Sequence, residues 1–281
     1  MYSELNLDLQ AFAKRVYDNI LYQSTFYKFL NMAYIGELRQ TGAPVIEVIK
    51  TNKLSVNVRE TKEIQSQLTP ALVGYSHTMV DLTELNMDYS VRVPLMITGS
   101  DITNAVESAA DLEDSAIAKQ IDEYGYGKLA SASMTEFAWA PNTKEDYIDL
   151  LNELGATLYN KDIDGDYRIG LGAIEYARYV SALTSVLKFE TLEGREGVSM
   201  GEIAEAYGVQ AFKINDNVLD GVIGYFFNPI AVVGDTFFSA FVQHNSPQGY
   251  PGYYVLEGTQ SFGAEVVRPE AIIRLVEEVS A

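Results

Sequence analysis

Residues 100–124 read SDITNAVESAADLEDSAIAKQIDEY, and the fold turns on them. Ile102, Ala105, Val106, Ala109, Leu112, Ala116, Ile117, Ile121 and Tyr124 recur at steps of three and four. That period predicts an amphipathic helix. Ser100 and Asp101 supply N-cap chemistry at its start. Asp111, Glu113, Asp114, Lys119, Gln120 and Glu123 fill the polar side. At 1.5 Å per residue the helix from 101 to 124 is roughly 36 Å long, about the width of a small domain. Gly125 and Gly127 are expected to end or interrupt it, with helical character resuming through Ala132. A helix of that length laid across a sheet makes the spine of a flat, elongated domain.

Upstream the pattern is different. Val80, Leu82, Leu85, Met87, Tyr89, Val91 and Val93 alternate loosely, which predicts one extended segment over 79–93. Before it lie two β-rich runs, VIEVI at 45–49 and LSVNV at 54–58, with Thr51-Asn52-Lys53 as a short turn between them. A polar stretch from Glu60 to Thr69 then runs to Pro70, so the whole reads as a long hairpin with a solvated end. At the start of the chain Leu5, Leu9, Phe12, Val16 and Ile20 predict an amphipathic helix over 6–23, followed by apolar Phe26, Phe29, Leu30 and Met32. Such a helix either packs on its own domain or forms an arm that packs on a neighbouring subunit.

Downstream, Trp139-Ala140-Pro141-Asn142-Thr143 is a turn and the clearest internal boundary. Asn142 or Thr143 caps a helix carrying Tyr147, Ile148, Leu150, Leu151 and Leu154. A turn over 160–166 leads to a strand at 167–171 and a helix at 174–187. A short helix is expected at 200–207, then strands at 209–214, 222–227, 230–233 and 237–242. The tail, 253–278, reads as strands with a short terminal helix.

Composition narrows the function. The 281 residues carry 39 acidic and 20 basic side chains, a net charge of -19. Duplex DNA binding relies on Lys and Arg at phosphates, so this chain should repel DNA. The densest cationic cluster, Lys50, Lys53, Arg59 and Lys62, is sparse and diluted by glutamates. There is no cysteine, which removes disulfides, thiolate nucleophiles and Cys-zinc sites. With His77 and His244 the only histidines, imidazole chemistry has little material. The N-terminus lacks a signal-peptide pattern and no run of 18 apolar residues exists. The expectation is a soluble intracellular product with no membrane association.

Chemical motifs are weak. Asn160-Lys161-Asp162-Ile163-Asp164-Gly165 matches the first half of a calcium loop, but the twelfth position is Leu171 where a bidentate Glu is needed. An Asp-Gly turn explains the same letters. Gly170-Leu171-Gly172-Ala173-Ile174-Glu175 resembles a dinucleotide fingerprint, yet Glu175 would face a pyrophosphate. Gly125-Tyr126-Gly127 follows a helix, where that fingerprint needs a strand. Glu107, Asp111 and Asp114 share one helix stripe, which reads as a solvated or interface-facing edge. No catalytic residue, cofactor site or metal site is assigned, and the chain is expected not to be an enzyme.

Shape remains: an arm, a projecting hairpin, a long helix and an inserted α/β unit. Arms and hairpins bury surface on other copies, which a monomeric enzyme does not need. This order of parts resembles the major capsid protein of tailed bacteriophages, the α+β Hong Kong 97-type fold. Asn86-Met87-Asp88-Tyr89-Ser90-Val91-Arg92-Val93 leading into Val106–Glu113 looks like the strand-to-spine junction. The run Tyr207–Asn215 is similar to a strand of the axial domain, and Phe262-Gly263-Ala264-Glu265-Val266-Val267-Arg268-Pro269-Glu270-Ala271-Ile272 to the family's ending. The resemblance implies an N-terminal arm (1–35), an extended hairpin loop (36–75), a peripheral domain with the spine helix (76–142), an axial domain (143–247) and a return to the peripheral domain (248–281). It further implies hexamers and pentamers of this chain tiling an icosahedral virion shell, assembled in the host cytoplasm around double-stranded DNA held without specific binding. A scaffolding protein, a portal and decoration proteins would be its partners.

Three contact elements are expected on that resemblance. The arm helix (Leu9, Phe12, Val16, Ile20) would lie under one neighbour, and the hairpin (Val45, Val48, Lys53, Val56, Arg59) over another. Axial loops near Asn245 and Tyr250 would gather at the capsomer centre. Two alternatives stand beside this. One is an encapsulin-like nanocompartment shell with the same fold, which would package protein. The other is an acidic α/β metal-dependent enzyme using Asp162, Asp164 and Asp166.

Overall fold

Residues 9–31, 33, 45–51, 75–94, 100–183, 188–189, 204–206, 208–238, 242–245, 249 and 252–277 are described by this computed structural model. In chain order the elements are α1 (Leu9–Gln23), a 3-10 turn (Phe26–Phe29), β1 (Val45–Thr51), β2 (Tyr75–Asp81), β3 (Leu85–Pro94), α2 (Ser100–Ser131), β4 (Thr135–Ala138), α3 (Lys144–Tyr159), β5 (Tyr167–Gly172), α4 (Ala173–Leu183), β6 (Lys188–Phe189), β7 (Ala204–Ala206), β8 (Val209–Ile214), β9 (Gly224–Phe227), β10 (Val232–Phe238), β11 (Val242–Asn245), β12 (Tyr253–Val266) and β13 (Ile272–Val276).

The spine helix α2 runs unbroken for 32 residues, about 48 Å. Gly125 and Gly127 do not interrupt it. A mid-helix glycine costs about 1 kcal/mol relative to alanine. At Gly125 the reason is packing, because a Cβ there would overlap the Phe26 ring. The helix lies over a four-stranded antiparallel sheet centred on β12. One edge of β12 pairs with β3, from Tyr253↔Pro94 to Phe262↔Leu85. Its other edge pairs with β11 and then β10. On β3 the alternation is clean: Met87, Tyr89, Val91 and Val93 are buried while Asn86, Asp88 and Arg92 are exposed.

The expected single segment over 79–93 is two strands. Asp81 ends β2 with a tight turn, its Oδ1 accepting from Thr83 N (2.8 Å) and Thr83 Oγ1 (2.7 Å). β1 pairs with β2, from Val45↔Asp81 to Thr51↔Tyr75. The run at 54–58, expected as the partner across a short turn, lies outside the described residues.

A second, seven-stranded sheet has the order β4-β13-β9-β5-β8-β7-β6, with β5/β8 and β4/β13 parallel. α3 and α4 pack together beside it. α3 starts in a capping box: Thr143 Oγ1 accepts from Asp146 N (3.2 Å) and Asp146 Oδ2 accepts from Thr143 N (2.8 Å). Thr143→Ala should therefore lower stability by about 1 kcal/mol, read as a depressed unfolding midpoint in denaturant. An unchanged midpoint would mean that the box does not hold the helix start.

The sheets do not divide at 143 and 247. β10 and β11 belong with β3 and β12, whereas the terminal strand β13 joins the seven-stranded sheet. The short helix expected at 200–207 is replaced over 204–206 by β7, and Gly208, at φ +75°, closes its tight connection to β8. At 230–233 a capped 3-10 turn (Pro229–Ala231) precedes β10. The expected strand at 237–242 is the end of β10 and the start of β11. At the C-terminal end the expected helix is a 3-10 turn (Pro269–Ala271) before β13.

One apolar core joins both sheets, and the aromatic turn after α1 is its keystone. The Phe29 ring stacks on Phe227 of β9 (3.9 Å between centroids). It also meets Tyr126 of α2, Phe212 of β8 and Tyr225 of β9 edge-on. Phe26 packs on Tyr126 and on Phe262 of β12.

Candidate subunit-contact surfaces

Along α2, the α1 helix docks through polar pairs as well as apolar ones. Arg15 bridges Glu107 (3.3 Å) and Asp111 (3.7 Å). Asn19 Nδ2 donates to Asp111 (3.2 Å) and to Asp114 Oδ2 (2.9 Å). The Glu107–Asp111–Asp114 stripe is therefore a seam within the subunit, not a free edge. Further along, the Asp122 carboxylate accepts from Ser24 Oγ (2.6 Å), Thr25 N (3.2 Å), Thr25 Oγ1 (2.9 Å) and Phe26 N (2.9 Å). Burial raises its pKa, and those four bonds oppose the rise.

This docking corrects part of the contact expectation. Val16 and Ile20 are fully buried inside their own chain, so neither offers surface to a neighbour. A helix period shows that a face is covered, not which chain covers it. The Leu9 and Phe12 side chains lie outside the described residues, as do Lys53, Val56, Arg59 and Tyr250. Val48 is buried too: the inner face of the β1–β2 ribbon, Ile46, Val48 and Val80, covers Leu82 and Val233. Val45 is half-buried at the ribbon's base.

The ribbon's outer face is what remains open. It carries Glu47, Ile49, His77 and Met79, with Ile49 52% and Met79 64% exposed. Glu47 Oε1 lies 2.7 Å from His77 Nδ1. Strand alternation could have found Ile49 and Met79: they fall on the odd positions opposite Val48 and Val80. Leu112, counted on the apolar face of α2, is 76% exposed. In the first turn of α4, Ile174 is 67% exposed at the mouth of an open cleft of about 550 Å³ lined by Trp139, Pro141, Arg178, Asp216 and Val222.

That cleft lies at the carboxyl ends of β5 and β8, where α/β proteins often bind ligands. Here its polar groups already serve the fold. Asp216 Oδ1 accepts from Ala173 N at the start of α4 (2.7 Å), where a phosphate would bind. Glu175 Oε1 accepts from Trp139 Nε1 (3.0 Å) and Tyr147 OH (2.8 Å), and its Oε2 from Arg178 (3.3 Å). The calcium-like run is a turn, with Asp162 at φ 58° and Gly165 at φ 119°. Asp166 pairs with Arg168 at 2.7 Å. Among the described residues no group of three or more His, Asp or Glu side chains could hold a metal ion. His77 and His244 stand on different sheets. No described helix is long and apolar enough to cross a membrane.

The fold agrees with that of capsid chains. The chain is similar to the capsid structure of cyanophage P-SCSP1u, with a TM-score of 0.58, 14% identity and coverage of 85% of this chain and 84% of that one. The capsid of Ralstonia phage GP4 superposes with a TM-score of 0.56 at 9% identity, covering 85% of each chain. A virus-like particle from Pyrococcus furiosus gives 0.53 at 14% identity, over 93% and 96%. No family model matches the sequence, and no curated protein is similar to it in sequence. The chain has the α+β fold of tailed-phage capsid subunits, as the sequence resemblance implies.

Proposed function

We propose that this chain is a major capsid protein that self-assembles, as hexamers and pentamers, into the icosahedral head of a tailed double-stranded DNA phage. The observation that carries the reading is the match of fold over most of both chains to phage capsid subunits. The net charge of -19 fits a container that does not adhere to its cargo. Like-charged copies repel, so assembly must draw on apolar burial and on pairs between neighbours. In this reading the role is structural and not catalytic, and the shell forms in the host cytoplasm with a scaffolding protein, a portal and decoration proteins. Residues 1–35 form the arm, 36–75 the extended loop and α2 the spine; Tyr250 lies toward the capsomer centre. The loop, with Lys53, Val56 and Arg59, reaches over a neighbour, and so does the outer face of the ribbon.

The ladder that ends at Thr51↔Tyr75 supplies the test. Deleting 53–73 joins Asn52 to Gly74, and Asn-Gly is the preferred two-residue hairpin turn. The shortened chain should keep the wild-type unfolding transition but lose closed shells. Shells of normal size and stability would remove the loop from the interface.

The same fold occurs in the Pyrococcus virus-like particle, which favours a second reading, a protein-packaging compartment. Nuclease-protected DNA inside native particles supports the phage reading; protein cargo and no DNA supports the compartment.

A further inference from the structure

Asp114 stands out in the seam between α1 and α2. It is fully buried. Its Oδ2 accepts from Asn19, but its Oδ1 has no hydrogen-bond partner among the described residues. The charges around it are unbalanced. Arg15 comes from α1; Asp111 and Glu113 come from α2; the Tyr89 hydroxyl comes from β3 and is kept neutral by burial and by these carboxylates. The Arg15 guanidinium reaches Glu107 and Asp111. An ionised Asp114 is therefore a buried anion with half its carboxylate unpaired, next to two further carboxylates. Leaving a buried charged group unsatisfied is among the larger penalties in folding.

We propose that Asp114 is a proton switch for the arm: protonated, it holds α1 against the spine helix, and ionised, it loosens α1. A proton removes the charge that α1 helps to bury; Asp111 and Glu113 stand on Asp114's own helix and act on it in either state, and Asn19 and Arg15 of α1 favour the ionised form, so burial is what couples the proton to docking. The Asn19 contact to Oδ2 survives in either state. Burial raises the Asp114 pKa from 3.8 to about 6, which sets the window. The sign follows from linkage. With α1 seated Asp114 is more buried and binds the proton more tightly than with α1 lifted away, so docking strengthens as pH falls through about 6 and levels off once Asp114 is protonated in both states. The switch belongs to the subunit, and its test is independent of the shell reading.

The experiment is amide hydrogen exchange of residues 13–23 in the free full-length chain at pH 5 and pH 7.5, corrected for intrinsic rates. The α1 protection factor should be several-fold higher at pH 5, with roughly tenfold as the ceiling. In Asp114→Asn, which keeps the shape without the charge, protection at pH 7.5 should rise to the acid value and the pH dependence vanish. Equal protection at the two pH values in the wild type, or a slope that survives in Asp114→Asn, would overturn the proposal. Should that variant fail to fold, the wild type still decides. One aspartate carboxyl resonance must titrate near pH 6, and in Arg15→Gln it must move higher because a stabilising cation is gone. No aspartate titrating above pH 5 would overturn the switch equally.

Discussion

Phe29→Ala is expected to lower the unfolding free energy by about 3–5 kcal/mol, the range for emptying a large aromatic site in a core. Phe29 is fully buried and is the one ring that touches β8, β9 and the spine helix together among the described residues. Its neighbours Phe212, Phe227 and Tyr126 are held by sheet ladders and by a long helix, so they cannot collapse into the space. The loss should also detach the arm. Phe26 and Leu30 lie on either side, and Asn31 N donates to Val232 O at 2.9 Å only while the turn stays seated. Equilibrium denaturation measures the first effect and exchange of α1 amides the second. A loss below about 1 kcal/mol would mean that the turn is peripheral to stability and that the two sheets cohere without it.

The second large effect is at Gly263. This residue of β12 passes under the β2–β3 turn so closely that a Cβ would overlap the Asp81 carbonyl oxygen and stand 2.6 Å from Leu82 Cα. Both obstacles are backbone, so no side chain can rotate away. Gly263→Ala should cost about 3 kcal/mol, the upper end for overpacking, and should shift the hairpin base against the sheet. Gly127→Ala is the matched control: a Cβ there meets nothing within 4 Å, and helix propensity favours alanine by about 1 kcal/mol. The two substitutions add the same atom and should move the unfolding midpoint in opposite directions. Destabilisation of similar size at both sites would contradict the close approach at Gly263.

The sequence pattern was informative where structure is local. The periods of α1 and α2, the cap at Thr143 and the strand at 209–214 all follow from neighbouring side chains. Partnership across the chain did not. VIEVI at 45–49 announces a strand, but its partner is 23 intervening residues away in the register Thr51↔Tyr75. β4, Thr-Glu-Phe-Ala, is an edge strand with largely exposed side chains and no alternation to betray it. Nothing local in β10 or β13 says which sheet it joins, and tertiary pairing sends them to different ones. The contact residues were the least legible. Val16, Ile20 and Val48 have the apolar spacing of an interface, and all three are consumed by the subunit's own core. The acid stripe at Glu107, Asp111 and Asp114 reads as a solvated or interface-facing edge because its partners, Arg15 and Asn19, are about ninety residues away in sequence.

The central claim is that this chain builds a closed shell. Negative-stain electron microscopy of the protein purified from its native source tests it most directly. The account predicts closed polyhedral particles of uniform diameter, from which the subunit number follows. Single copies with no rings, sheets or closed particles across a range of salt and pH would contradict it.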